Sequence, residues 1–125
     1  MIYENEEQAR QACAEWQERL KLQHWLVKAR ICRRDDMGLE DSCGTCAWTL
    51  SRAEALLKLL DPIDYPEDGI VDQDHEVTLV HELLHIHFAP FASDLKPDSL
   101  EHIAMERAID VMSKTMVELK RKAGD

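Results

Sequence analysis

The run His81-Glu82-Leu83-Leu84-His85 gathers two imidazoles and a carboxylate within five residues of this 125-residue chain. On a helix, residues i and i+4 share a face, so His81 and His85 can reach a single tetrahedral ion. Glu82, displaced by one position, sits beside that stripe, where a carboxylate can take a proton from metal-bound water. Three ionisable groups side by side on an otherwise apolar helix would be costly to bury without a cation. A catalytic zinc usually takes three protein ligands and keeps one position open for water. The last helix offers Glu101, His102 and Glu106 as the third. Glu101 is spaced from Asp98 as the back-bonding member of a capping box. Glu106 falls on an apolar arc with Met105, Ile109, Met112, Met116 and Val117, where a carboxylate wants a cation, and it is the preferred ligand. His102, one turn earlier, is the alternative, or a group that steadies an oxyanion; Tyr65, in a loop, is a second oxyanion candidate. Asp110, one turn beyond Glu106, is placed either to accept the free ring N–H of a ligand histidine or simply to be solvated.

The elements that must position these residues are readable from periodicity. Asn5 to about Gln23 spaces Ala9, Ala12, Cys13, Trp16 and Leu20 as one helical stripe. Trp25 to Arg33 alternates with period two, placing Trp25, Val27, Ala29 and Ile31 on one face of a strand. Arg34–Ser42 is expected to turn, and Thr45–Ser51 to form a second strand with Cys46, Trp48 and Leu50 inward. Arg52–Leu60 has helical propensity but the length and Asp61-Pro62 stop of a strand, and strand is preferred. Asp61–Asp72, with Pro62, Pro66 and Gly69, is loop and a place for substrate contacts or a lid. Asp74 caps a helix to about Phe88, where Pro90 should end it. That helix is apolar on nearly every side except at Thr78, His81, Glu82 and His85. After a loop over Ala89–Pro97, the last helix runs to about Lys122.

The net charge is −10 and the isoelectric point about 5.0, a balance that repels phosphate backbones. The clusters Arg30/Arg33-Arg34 and Lys120-Arg121-Lys122 are too short to reverse that, so no nucleic-acid partner is expected; the second suits a helix C-terminus. No apolar run approaches a membrane span, and the acidic start Met1–Glu7 is no signal peptide, which predicts a cytoplasmic protein with reduced cysteines. Cys43-Gly44-Thr45-Cys46 lacks the second pair that a structural zinc site would need. His24 and His75 have no identifiable partners, and His87 lies off the ligand face of its helix, as a core or surface residue.

His-Glu-Leu-Leu-His followed some twenty residues later by Glu106-x-x-x-Asp110 resembles the gluzincin arrangement of zinc metallopeptidases. The order helix, strands, active-site helix, C-terminal helix resembles minimal zincin-like proteins, including the SprT-like family and small phage- or prophage-encoded metallopeptidases. The resemblance implies one α+β zincin-like domain over residues 1–125, with a small three-stranded twisted sheet. It also implies one Zn2+ per chain on His81, His85 and Glu106, Glu82 as general base, and Asp110 supporting His81. Peptide or protein would be the substrate, and Arg52–Leu60 would be the sheet edge that pairs with it. The competing expectation is a zinc-stabilised binding or regulatory module on the same fold.

Overall fold

Asn5 opens the first helix, α1 (Glu6–Arg19), by accepting a hydrogen bond from Gln8 N at 2.9 Å, and Glu6 and Glu7 lie against the positive end of its dipole. In the computed structural model, which describes residues 1–39 and 42–124, α1 stops short of the expected Gln23, because Lys21 takes a left-handed φ of 62°. Ala9, Cys13 and Trp16 of the anticipated stripe are buried. Three strands follow, β1 (Leu26–Cys32), β2 (Gly44–Thr49) and β3 (Glu54–Leu60). Between β2 and β3, Leu50–Arg52 forms a 3-10 turn and Ala53 adopts a φ of 50°, so the second strand ends before Leu50 and the third begins two residues late. The expected turn between β1 and β2 contains a 3-10 stretch at Arg34–Asp36; Glu40 and Asp41 of that segment lie outside the described residues.

The sheet order is β1-β3-β2, with β1 parallel and β2 antiparallel to β3. Arg52–Leu60 therefore does not supply the sheet edge that the resemblance implied; β3 is the central strand. Its composition explains this. Leu57, Leu59 and Leu60 are wholly buried and Ala55 nearly so, and a strand this apolar is best placed with a neighbour on both sides. The edge nearest the motif helix is β2.

α2 (His75–Ala92) and α3 (Leu100–Lys122) complete an α+β domain of three helices and one small mixed sheet. α1 packs on β1, α2 on β2 and β3, and α3 on α2. Asp74 caps α2 as anticipated, through hydrogen bonds from Glu76 N and Val77 N. The helix nevertheless continues through Pro90 to Ala92. Proline this close to the C-terminus removes one intrahelical bond, and Ser93, whose N–H and hydroxyl both donate to Ala89 O, closes the final turn. α3 is capped by Ser99, which accepts from His102 N at 3.2 Å, rather than by Asp98, which sits at φ 65°. The Asp98–Glu101 capping box is accordingly not formed. No helix among the described residues is long and apolar enough to cross a membrane.

Two buried polar groups fix the start of α2. Glu76 accepts from Trp16 Nε1 at 3.0 Å, Lys120 Nζ at 2.6 Å and Arg121 at 3.1 Å, which ties α2 to α1 and to the end of α3. Burial alone would raise this carboxyl, but the hydrogen bonds from Lys120 and Trp16 outweigh it and hold it below its usual range. Lys120 and Arg121 are thus engaged within the fold, and Arg33 is likewise paired with Asp64 at 2.7 Å. His75 is fully enclosed. Its Nδ1 accepts from Tyr3 N at 3.0 Å and its Nε2 donates to Leu60 O at 2.9 Å. Each partner fixes one nitrogen, so the ring is neutral and protonating it would break the Tyr3 contact.

Burial lowers the His75 pKa from 6.5; the Met1 ammonium adds to this, while Asp61 and Asp74 oppose it. A histidine depressed in the folded state contributes stability that is whole above about pH 6.5 and is lost as pH falls below it, because the unfolded chain then binds the extra proton. His75→Ala should cost about 3 kcal/mol at pH 7.5, leaving two buried backbone groups unpaired and a void. Denaturant titration at pH 7.5 and 5.5 should show wild type losing more stability than the variant over that interval. Equal losses would remove His75 as an acid-sensitive element.

Candidate metal centre

α2 presents its apolar side chains to the sheet, α1 and α3, with Leu79, Val80, Leu83, Leu84 and Ile86 buried. What remains is the stripe Thr78-His81-Glu82-His85, which opens into a cleft of about 480 Å³ between β2, α2 and α3. Gly44, Cys46 and Trp48 of β2 line one wall; Glu106 and Asp110 of α3 line another. One ligand atom from each of His81, His85 and Glu106 lies within 4.8 Å of the other two. Glu106 straddles both rings, with one oxygen 3.2 Å from His81 Nε2 and the other 2.9 Å from His85 Nε2.

These residues fit a zinc ion. Two imidazoles and a carboxylate are a catalytic-type donor set, and bonds of about 2.0–2.2 Å need only small side-chain adjustments from this spacing. Burial lowers the His85 pKa, which keeps its lone pair available to a cation at neutral pH. Glu82 is one step round the helix. Burial, and then the charge of Glu106, push its carboxyl up to about 8 in the absence of a cation.

Of the other candidates, Asp110 has Oδ1 3.8 Å from His81 Nδ1 and also holds Lys114 at 2.8 Å. It stands on the side required to orient His81, beyond direct hydrogen-bond distance. His102 lies one turn before Glu106, and its charge bears on His85, but it is not part of the ligand cluster among the described residues. Glu101 is exposed at the first turn of α3. Tyr65 is not brought to the centre: its hydroxyl donates to Val71 O at 2.7 Å and its ring packs with Cys32, Met37 and Leu60. His87 faces away, within 2.7 Å of Leu20 O. Cys43 and Cys46 both line the cleft, and burial pushes the Cys46 thiol up to about 12.

Sequence reasoning missed Gly44 and Trp48. Alternation along β2 turns positions 44, 46 and 48 toward α2. A methyl group at position 44 would overlap Thr78 Cγ2 and lie 3.2 and 3.3 Å from Glu82 Cγ and Oε2. Only a glycine lets the strand pass this close to the carboxylate. Trp48 stacks on His85, ring centroids 6.4 Å apart and planes 18° from parallel. The alternation Gly-x-Cys-x-Trp carried the signal, but its meaning depends on which element faces the strand.

Gly44→Val should push β2 away from α2 at Thr78 and Glu82, lowering stability by about 1–3 kcal/mol and displacing the Glu82 side-chain resonances in an NMR spectrum. A variant as stable as wild type, with unmoved Glu82 signals, would show that the close approach does not matter.

No protein-family model, curated protein or solved structure matches the chain.

Proposed function

We propose that the chain is a zinc-dependent metallopeptidase on a minimal zincin-like fold of the gluzincin type, with His81, His85 and Glu106 as ligands and Glu82 as general base. The observation that carries this reading is the convergence of Glu106, from a separate helix twenty-one residues beyond His85, on both histidines of the motif at 2.9–3.2 Å. A fortuitous motif would have no reason to recruit a carboxylate to that point from α3.

When bound, zinc supplies Lewis acidity toward a carbonyl and lowers the pKa of a water ligand to about 7. The chain's own residues do the rest. A divalent cation would reverse the pull that raises the Glu82 carboxyl and favour its ionised, basic form. Glu82 then accepts the proton of the attacking water and returns it to the leaving amine. Asp110 biases the tautomer and orientation of His81. The free edge of β2, beside the cleft, offers backbone groups to an extended peptide, the role first expected of Arg52–Leu60.

The competing reading, a binding or regulatory module, would be favoured by an occluded site. At the cleft the side chains of Glu106 and Asp110 are instead 37% and 46% exposed. The N-terminal residues pack at the other end of α2, against Asp74 and His75.

Metal analysis of purified protein should find about one zinc per chain. Glu106→Ala should lose it and His102→Ala should keep it. Glu82→Gln should retain zinc while hydrolysis of a denatured protein substrate falls at least about 100-fold. Zinc retained in Glu106→Ala, or full activity in Glu82→Gln, would overturn the assignment.

A further inference from the structure

The two candidate ligand histidines are held differently. His81 has Asp110 on the Nδ1 side of its ring. For His85 the described residues place no hydrogen-bond partner at Nδ1; its polar contact is Glu106 at Nε2. A ring gripped at one atom can still swing about that contact, and a ligand that swings binds a metal weakly. What lies against the face of His85 is the indole of Trp48, nearly parallel to it.

The local sequence suits this contact. β2 turns Gly44, Cys46 and Trp48 toward α2, and their size rises along the strand. At Gly44 the backbone itself meets Thr78 and Glu82. At Trp48, one turn further along the helix, a large flat side chain spans from strand to ligand. Opposite Trp48 in the sheet register is Ala55, whose small side chain leaves room for the indole on that face. Trp48 is half-buried and packs against the main core, which anchors it.

We propose that Trp48 is the positioning residue for His85. Its indole, carried on β2, holds the imidazole in the orientation in which Nε2 meets Glu106, so the zinc affinity of the centre is set from the sheet as well as from the two helices. This rests on the zinc reading above. It also couples the free edge of β2 to the metal, since whatever moves that strand moves the support of a ligand.

The test uses the full chain as wild type, Trp48→Phe and Trp48→Leu. Zinc affinity is measured by competition with a chromogenic chelator, and the His85 χ1 and χ2 torsions are measured from NMR three-bond couplings and NOEs in metal-free protein. Trp48→Leu should bind zinc about tenfold more weakly and Trp48→Phe, which keeps a flat ring, within about threefold of wild type. The His85 side chain should change or average its χ1 and χ2 torsions in Trp48→Leu and keep them closer to wild type in Trp48→Phe. Thermal melts establish that each variant is folded, and Trp48→Met replaces the leucine variant if that one is not. Unchanged zinc affinity in folded Trp48→Leu would overturn the proposal. A wild type that binds no zinc would overturn the metal reading instead. In that case the His85 χ1 and χ2 torsions in metal-free protein still decide the contact: a changed or averaged torsion in Trp48→Leu upholds Trp48 as the support of His85, and unchanged torsions remove it.

Discussion

A helix that is apolar on nearly every side must be buried on nearly every side, and α2 meets this demand by lying against the sheet, α1 and α3 together. The rest of the molecule follows from that placement. The same helix carries Glu82, His81 and His85 on its remaining stripe, so burying the helix draws a carboxylate and two imidazoles out of bulk water. Glu82 records the cost, its carboxyl pushed up to about 8 by burial and by Glu106. Adding Glu106 to such a stripe raises the density of negative charge where solvation is poorest. That choice is favourable if a cation completes the group, and Glu106 touches both rings at once.

Strand order follows from the same economy of apolar surface. The most buried strand, β3, takes the centre, and β2, whose outward residues are exposed or half-exposed, takes the edge beside α2. β2 therefore has one side paired and one side free, and its inward residues meet the polar stripe of the helix rather than its apolar flanks. Glycine at the closest point and tryptophan at His85 are the outcome of a strand passing a helix at an angle.

The motif and the carboxylate that meets it were legible in the sequence because both obey helical spacing. His81 and His85 share a face by arithmetic alone, and Glu106 stood out as a charge on an apolar arc. Arg52–Leu60 contains the strand its length and the Asp61-Pro62 stop predict, but its place in the sheet is not readable from the sequence, since strand order depends on pairings between segments far apart in the chain. His75 was opaque for the same reason: its partners are Tyr3, seventy-two residues away, and Leu60. Lys120 and Arg121 looked like a solvated helix end until Glu76 and Asp74 were brought to them from α2. Local errors had local causes. Pro90 cost too little so near a helix end to stop it, and Ser99 competed successfully with Asp98 for the cap.

α2 and α3 are fixed against each other at two separate levels. At one end, Asp74 and Glu76 bind Lys120 and Arg121, with the Glu76 side chain only 3% exposed. Further along, the two histidines meet Glu106. The first set is satisfied without any ion, and the main core, running from Tyr3 and Trp16 through Leu57 and Leu83 to Ile109 and Val117, does not pass through the cleft. The register that brings Glu106 opposite His81 and His85 is therefore set by groups outside the His81-His85-Glu106 cluster. In small zinc domains whose ligands are assembled only by the ion, binding and folding are one event. Here Asp74, Glu76, Lys120 and Arg121 already join α2 to α3 away from the cleft, so the binding energy of an ion held by His81, His85 and Glu106 would not have to bring the two helices together and could be expressed as affinity and as activation of what the ion holds.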